Sequence, residues 1–352
     1  MVGPIPYWGA NSVQGYVDRS LVEGPLVLVG EDGAPFYDRL TPVAFAVDEP
    51  IWPNNHVHVL RPNVDVDHRF LAASLNAVDY SLYIKGSTRD KLNQSDLSAI
   101  VIAVPSHEEQ IKIADFLDQE TAEIDAFIAD QEELIGLLAE RRAASLLSET
   151  LEIKPTVSGS LGRFIRKQER PIQGADVVTA FRDGEVTARS NRREEGFTMS
   201  EAESGYQGVA VGDIVFHGLD GFAGAVGVSD SNGRCSPVYH VCVSEKGVDP
   251  AFMALYLRAL GLSEFLQAYA WSVRQRSVDY RNWSVFSKLP ISLPSPPEQR
   301  GAVERLQIAF REIDAAITDA REAIALSKER RAALVSAAVT GKIDVRNHGE
   351  AA

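Results

Sequence analysis

Residues 105–145 read PSHEEQIKIADFLDQETAEIDAFIADQEELIGLLAERRAAS, and residues 294–334 read PSPPEQRGAVERLQIAFREIDAAITDAREAIALSKERRAAL. A constant offset of 189 superposes the two without a gap. Pro105 falls on Pro294, Glu109-Gln110 on Glu298-Gln299, and Ile124-Asp125-Ala126 on Ile313-Asp314-Ala315. The endings also agree, Glu140-Arg141-Arg142-Ala143-Ala144 on Glu329-Arg330-Arg331-Ala332-Ala333. An ungapped repeat of this length marks a duplication, and it organises the reading of everything else.

Each copy has the pattern of a long helix. Pro and Ser stand at the start, Glu-Gln follows in the first turn, and the run then contains no further proline. The apolar residues keep a heptad. Leu117, Ile124, Ile128 and Ile135 form the seam in the first copy; Leu306, Ile313, Ile317 and Ile324 form it in the second. A stripe this narrow suits a coiled-coil contact. A lone helix of roughly 60 Å with a mostly polar surface is marginal in water, so the two copies are expected to pack on each other.

Of the 352 residues, 45% are hydrophobic, enough for real cores and for two or three domains. No run of eighteen apolar residues is present, so no membrane span is expected. The start of the chain lacks the basic and apolar regions of a signal peptide. Two cysteines, Cys235 and Cys242, suggest reduced core thiols and a cytoplasmic protein. The net charge of −14 speaks at first against nucleic acid, but residues 105–150 alone carry −9. The acid is concentrated on the first helix, where charge forms a solvated face. The globular parts remain free to meet DNA.

Those parts repeat as well. Leu26–Val29 reads as a strand closed by the turn Gly30-Glu31-Asp32-Gly33, and His56–Leu60 as an alternating strand. Phe70–Val78 has helical spacing, and Leu97–Val104 reads as a strand feeding the long helix. After a linker at Pro155–Gly162, Gly212-Asp213-Ile214-Val215-Phe216 answers Gly24-Pro25-Leu26-Val27-Leu28. His240 stands twelve residues before Phe252, as His58 stands before Phe70. Residues 151–188 have no counterpart in the first half, so the first domain is expected to be short at its N-terminal side.

This combination resembles the specificity subunits of type I restriction-modification systems. The P-x-x-x-E-Q openings, the Ile-Asp pairs and the Glu-Arg-Arg-Ala endings carry the resemblance. Gly3-Pro4-Ile5-Pro6-Tyr7, Asn54-Asn55-His56 and Gly86-Ser87-Thr88-Arg89 add to it. It implies an α+β fold: two mixed α/β target-recognition domains separated by two long antiparallel coiled-coil helices, with a pseudo-twofold internal repeat. The domains expected are 1–104 and 151–293, the helices 105–150 and 294–340, and a tail 341–352. The resemblance further implies a non-catalytic subunit that reads a bipartite double-stranded DNA target with an unread gap. It would dock methyltransferase and restriction subunits. No cofactor is expected on this chain; S-adenosylmethionine and ATP with Mg²⁺ would belong to those partners. The rival reading is a truncated scaffold that binds protein and reads one half-site or none.

The residue types agree with a reader more than with an enzyme. The chain has neither the cofactor loop and Asn/Asp-Pro-Pro-aromatic motif of an adenine methyltransferase nor a phosphate-binding Gly-x4-Gly-Lys motif. His56 and His58 share a strand face but have no Cys, Asp or Glu at ligand spacing, so no metal is expected. Base edges are read by side chains that offer paired hydrogen bonds, and phosphates are held by exposed cations. In the first domain Asn11, His56, Arg89, Lys91 and Gln94 are candidates, with Tyr7 as a stacking or packing aromatic. In the second they are Arg192, Arg193, Arg274, Gln275, Arg276, Tyr280 and Arg281. An ordinary surface ion pair is the competing role for each arginine. If Arg274 reads a base, Arg274→Ala is expected to cost about 1–3 kcal/mol and to relax one half-site only.

Overall fold

The computed structural model describes residues 3–84, 90–172, 176–192, 205–270, 273–274 and 277–345. The chain divides into two units, Met1–Leu134 with Thr318–Ala352, and Ile135–Ile317. Helices and sheets are both present in quantity, so the class is α+β.

In the first unit, β1 (Ile5–Trp8) pairs antiparallel with β2 (Val13–Val17) and parallel with β5 (Trp52–Pro53). A second sheet has the order β4 (Ala44–Val47), β3 (Leu26–Gly30), β6 (Val57–Leu60), all antiparallel. Strand β3 is buried on both faces. Val27 and Val29 pack toward α1 (His68–Asn76), while Leu26 and Leu28 join Val47 and Ile51 on the other side. Helix α1 is capped by Asp67, whose carboxylate accepts from the backbone N–H of Arg69 and Phe70. A short helix α2 (Gln94–Ser98) precedes α3 (His107–Thr150), a 44-residue helix.

The expectation of a strand over Leu97–Val104 is corrected. Residues 101–104 belong to no strand, and Val101 and Val104 are 83% and 54% exposed. The second unit supplies the reason. There β7 (Val157–Ser160) pairs with β18 (Pro290–Leu293), the counterpart of residues 101–104 at the helix offset. A strand needs a ladder partner to hold its backbone groups. Residues 157–160, expected to be part of a linker, are themselves that partner. The described first unit contains no counterpart of β7.

The second unit continues with β8 (Ile165–Lys167), β9 (Val178–Ala180), β10 (Val186–Ala188), β11 (Gln207–Val209), β12 (Ile214–His217), β13 (Val226–Val228), β14 (Gly233–Cys235) and β15 (Tyr239–Ser244). Its main sheet has the order β13-β12-β15-β8, antiparallel throughout. Then follow α4 (Pro250–Leu262), α5 (Phe265–Tyr269), the hairpin β16 (Val273–Arg274) and β17 (Ser277–Val278), α6 (Trp283–Phe286), β18 and α7 (Pro296–Val339), also 44 residues long. Asp249 caps α4 as Asp67 caps α1. The thiols of Cys235 and Cys242 are buried, which pushes both up to about 12.

Sheet register also shifts the alignment of the two halves by one residue. Val29 lies opposite His58, and Phe216 lies opposite His240. Val27 therefore answers Ile214, where the sequence pairing set Leu26 against it. The cores agree: Ile214 and Phe216 face α4, as Val27 and Val29 face α1. Leu26–Val29 and Ile214–Phe216 are apolar and buried without a break, so no alternation in the sequence sets the register.

Candidate nucleic-acid interface

In the first unit three candidates converge on the turn after β3. Asn11 Nδ2 donates to the Gly33 carbonyl at 3.1 Å. Lys91 Nζ lies 3.1 Å from Glu31 Oε1, and His56 Nδ1 lies 3.8 Å from Asp32 Oδ2. Backbone bonds fix the arrangement: Glu31 N–H donates to the His56 carbonyl and Leu92 N–H to the Glu31 carbonyl. Gly33 holds a positive φ of 77°, which lets the turn close without a Cβ. The result is an exposed edge of amide, imidazole and ammonium donors beside two carboxylates. Such an edge suits hydrogen bonding to base edges better than plain phosphate attraction. Gln94 is exposed at the first residue of α2. Arg89 lies outside the described residues. Tyr7 is half-buried in β1.

The corresponding turn of the second unit carries more arginine. Tyr280 N–H donates to the Gly218 carbonyl at 2.7 Å, as Leu92 N–H does to Glu31. That bond sets Arg281 against Gly218, where a Cβ would come within 2.9 Å of its Cγ. Arg281 is held by Asp279 through Nε at 3.0 Å and Nη2 at 2.7 Å. Arg182 donates to Asp220 at 2.9 Å. His217 Nδ1 accepts from the N–H groups of Leu219 and Asp220, and burial holds its pKa below the ordinary imidazole value despite Asp220. Arg182 and His217 were missed in the sequence; His217 directly precedes the Gly-Leu-Asp-Gly turn, which was a usable signal. Arg192 sits apart from this turn. It binds Asp183 and Glu185 at 2.7 and 3.2 Å and stacks over Phe181 at 4.2 Å. Arg193, Gln275 and Arg276 lie outside the described residues, as does the side chain of Arg274, whose backbone is in β16.

Tyr280 is corrected as a DNA contact. It is 1% exposed, its hydroxyl donates to the Leu266 carbonyl at 2.5 Å, and Phe216 and Phe286 pack around it. A phenol with its hydrogen bond met inside the core has nothing to offer a ligand.

A pair of glutamines does what the sequence reading did not assign. Gln110 and Gln299, the last residues of the two P-x-x-x-E-Q openings, are each 1% exposed. Gln110 Oε1 accepts from Asp67 N–H at 3.0 Å, and its Nε2 donates to the carbonyls of Asp65 and Pro105. Gln299 Oε1 accepts from Asp249 N–H at 2.9 Å, and its Nε2 donates to Gly247 and Pro294. Each amide ties the cap of the domain helix to the first turn of a long helix. The two histidines repeat likewise: His58 Nε2 meets the Leu92 carbonyl and His240 Nε2 the Tyr280 carbonyl, both at 2.7 Å.

Within each unit α3 and α7 run antiparallel. In the first, Arg331 Nε reaches Asp125 at 2.9 Å, and Ile113, Phe116 and Leu117 pack with Val335, Ala338 and Val339. In the second, Arg142 pairs with Asp314, and Arg305 with Glu149 at 2.6 Å. The Asp of each Ile-Asp motif thus meets the second Arg of the other copy's Glu-Arg-Arg-Ala. Leu117, Ile124, Leu306 and Ile313 are buried; Ile128, Ile135, Ile317 and Ile324 are half-buried. Between Thr121 and Ser145 of α3 the covered residues fall at alternating steps of three and four.

These features have relatives. Residues 1–134 match the family model of the type I restriction modification DNA specificity domain. This stretch is similar to a type I specificity domain. A type I restriction enzyme specificity subunit of Haemophilus influenzae is 37% identical over 120 residues, 34% of this chain and 31% of that protein. The matched stretch therefore spans about a third of that relative. The crystal structure of the HsdS subunit from Thermoanaerobacter tengcongensis superposes with a TM-score of 0.50 at 14% identity, covering 94% of this chain and 85% of that one. A chain from a structure described as concerning complex assembly and conformational transition of the type I R-M system gives 0.61 at 15% identity, covering 94% and 86%. At these identities the structural likeness speaks for the fold, and it extends beyond the specificity domain over nearly the whole chain. No described helix is long and apolar enough to cross a membrane.

Proposed function

We propose that the chain is the DNA sequence-recognition subunit of a type I restriction-modification complex. It reads one short half-site with each unit and leaves the gap between them unread. It performs no catalysis and binds no cofactor; S-adenosylmethionine and ATP with Mg²⁺ are used by the methyltransferase and restriction subunits docked on it. The observation that carries this reading is the contrast between a repeated scaffold and unrepeated turns. The glutamine ties, the histidine–carbonyl bonds and the Asp–Arg pairs recur residue for residue. The turns after β3 and β12 differ, one presenting Asn11, His56 and Lys91, the other Arg182, His217 and Arg281. A duplicated frame with altered reading edges suits two modules that recognise different sequences. Phe127, Leu134 and Leu137 on α3, and Ile308 and Leu326 on α7, are exposed and offer apolar surface to partner helices.

The experiment is to co-express the chain with a type I methyltransferase subunit and map methylated adenines in the host DNA. A two-part motif with a fixed gap is expected. A single half-motif repeated as a palindrome would overturn reading by both units. A stable complex without methylation would favour a protein-binding scaffold.

A further inference from the structure

Each unit has a cleft between its domain helix and the long helices, lined by matching residues. In the second unit it has a volume of about 710 Å³, in the first about 260 Å³. The helix caps align Arg69 with Ala251 and Asn76 with Arg258; the long helices align Asp118 with Gln307 and Arg331 with Arg142. In the first unit Arg69 fills the space, donating to Asp115 at 2.9 Å and Asp118 at 2.7 Å. Asn76 has its polar atoms met there by Val43, Ala44 N–H and the Ala44 carbonyl.

In the second unit Ala251 and Gln307 leave the same space open. Its floor is apolar, with Val226, Ala254, Leu255, Leu306 and Phe310. At its edge stands Arg258. Nε of Arg258 is buried without a hydrogen-bond partner among the described residues, and Nη2 donates to the Arg182 carbonyl at 3.3 Å. Of the nearby acids, Asp183 and Glu185 are bonded to Arg192 and Asp314 to Arg142, and Asp183 also acts on Arg258 through its charge. The seat of Arg258 is shaped for it: Gly184 and Gly224, both at positive φ, approach so closely that a Cβ on either would lie 3.1 or 3.2 Å from its side chain. A guanidinium held against apolar walls, its Nε out of reach of a ligand but its Nη1 without a hydrogen bond among the described residues, is complementary to a carboxylate.

We propose that the open cleft of the second unit is a docking socket for an acidic–apolar segment of a partner polypeptide, one per chain. Arg258 takes the carboxylate of an Asp or Glu, and the floor takes neighbouring apolar side chains. The volume accommodates several side chains, and the open rim admits a backbone, which favours a polypeptide over a small free acid. The first unit has closed its copy with Arg69 and carries no cation at Asn76. The proposal depends on the reading above only for which subunit carries the segment.

The test uses the full chain and a displayed library of random twelve-residue peptides. Selection on the chain is followed by counter-selection on Ala251→Arg/Gln307→Asp, which copies the closure of the first unit. Enriched peptides are expected to carry Asp or Glu beside Leu, Ile or Phe. One synthetic representative should bind once per chain. Its affinity should fall at least tenfold in Arg258→Gln and recover in part in Arg258→Lys, while thermal melts confirm that all variants fold. Enrichment without acid, equal binding to the closed variant, two sites per chain, or indifference to Arg258→Gln would each overturn the proposal. So would hexanoate alone binding at Arg258 as tightly as the peptide, which would make the occupant a small acid. No DNA or methyltransferase is present, so failure here leaves the DNA reading intact, and failure of methylation mapping leaves the socket intact.

Discussion

Arg69 and Ala251 stand at the same position, two residues beyond an aspartate cap and one before a buried phenylalanine. Around Arg69 the chain has placed Asp115 and Asp118, and the cleft is closed by ion pairs. Around Ala251 the matching residues are Glu304 and the neutral Gln307, and the cleft stays open beside Arg258. The backbone parts that build each cleft are the same, down to the glutamine that holds the cap. Duplication thus preserved the groups that position elements and released those that fill surfaces. A buried amide with three hydrogen bonds has no tolerated substitute, whereas an exposed cleft tolerates filling or emptying at small cost.

The largest test of this comparison lies in the sheets. Phe216→Ala should cost about 4 kcal/mol, because Phe216 stacks on Phe286 and faces α4. Its counterpart by register, Val29→Ala, should cost about 2 kcal/mol by loosening α1. Urea unfolding of both variants measures this, and an unchanged stability in Val29→Ala would break the equivalence of the two strands. Next come the glutamines. Gln110→Leu and Gln299→Leu each strand a buried backbone N–H and two carbonyls, so each should lose about 3 kcal/mol. Unequal losses would show that the two ties are alike in geometry but not in energy.

A smaller effect is expected from Arg69→Ala, about 1 kcal/mol, since its acid partners are largely exposed and water screens them. Added salt should shrink that difference, measured as a shift in melting temperature. The smallest is a pH effect. Burial holds the His240 pKa below its ordinary value, and its Nε2 is engaged by the Tyr280 carbonyl. The unfolded chain therefore takes up a proton that the folded one refuses as pH falls below about 6.5, so stability present at neutral pH is lost on acidification. The slope attributable to His240 should be at most about 1.4 kcal/mol per pH unit and should vanish in His240→Phe. A slope of the opposite sign would mean that the imidazole is charged in the fold.

Much of the frame was legible because its signals are local and repeated. The 189-residue offset identified both long helices, and a stripe at heptad spacing marked the residues of their seam. Other features needed partners far along the chain. Residues 101–104 and 290–293 look equally strand-like, but β7 accompanies only the second stretch in the described structure. Tyr280 looks like a surface aromatic among arginines until Phe216, Leu266 and Phe286 are seen around it. Among the candidate contacts, Asn11, His56 and Lys91 proved to be neighbours through one turn, a grouping invisible across eighty residues of sequence.

From sequence alone came the duplication and the two long helices. Periodicity and motif identity are properties of residues close in the chain, and these carry such information completely. The register of β3 against β12, the burial of Gln110 and Gln299, and the closing of one cleft beside the opening of the other came only with tertiary structure. Each of these depends on which distant atoms occupy a given volume, and close packing settles that for the folded chain as a whole.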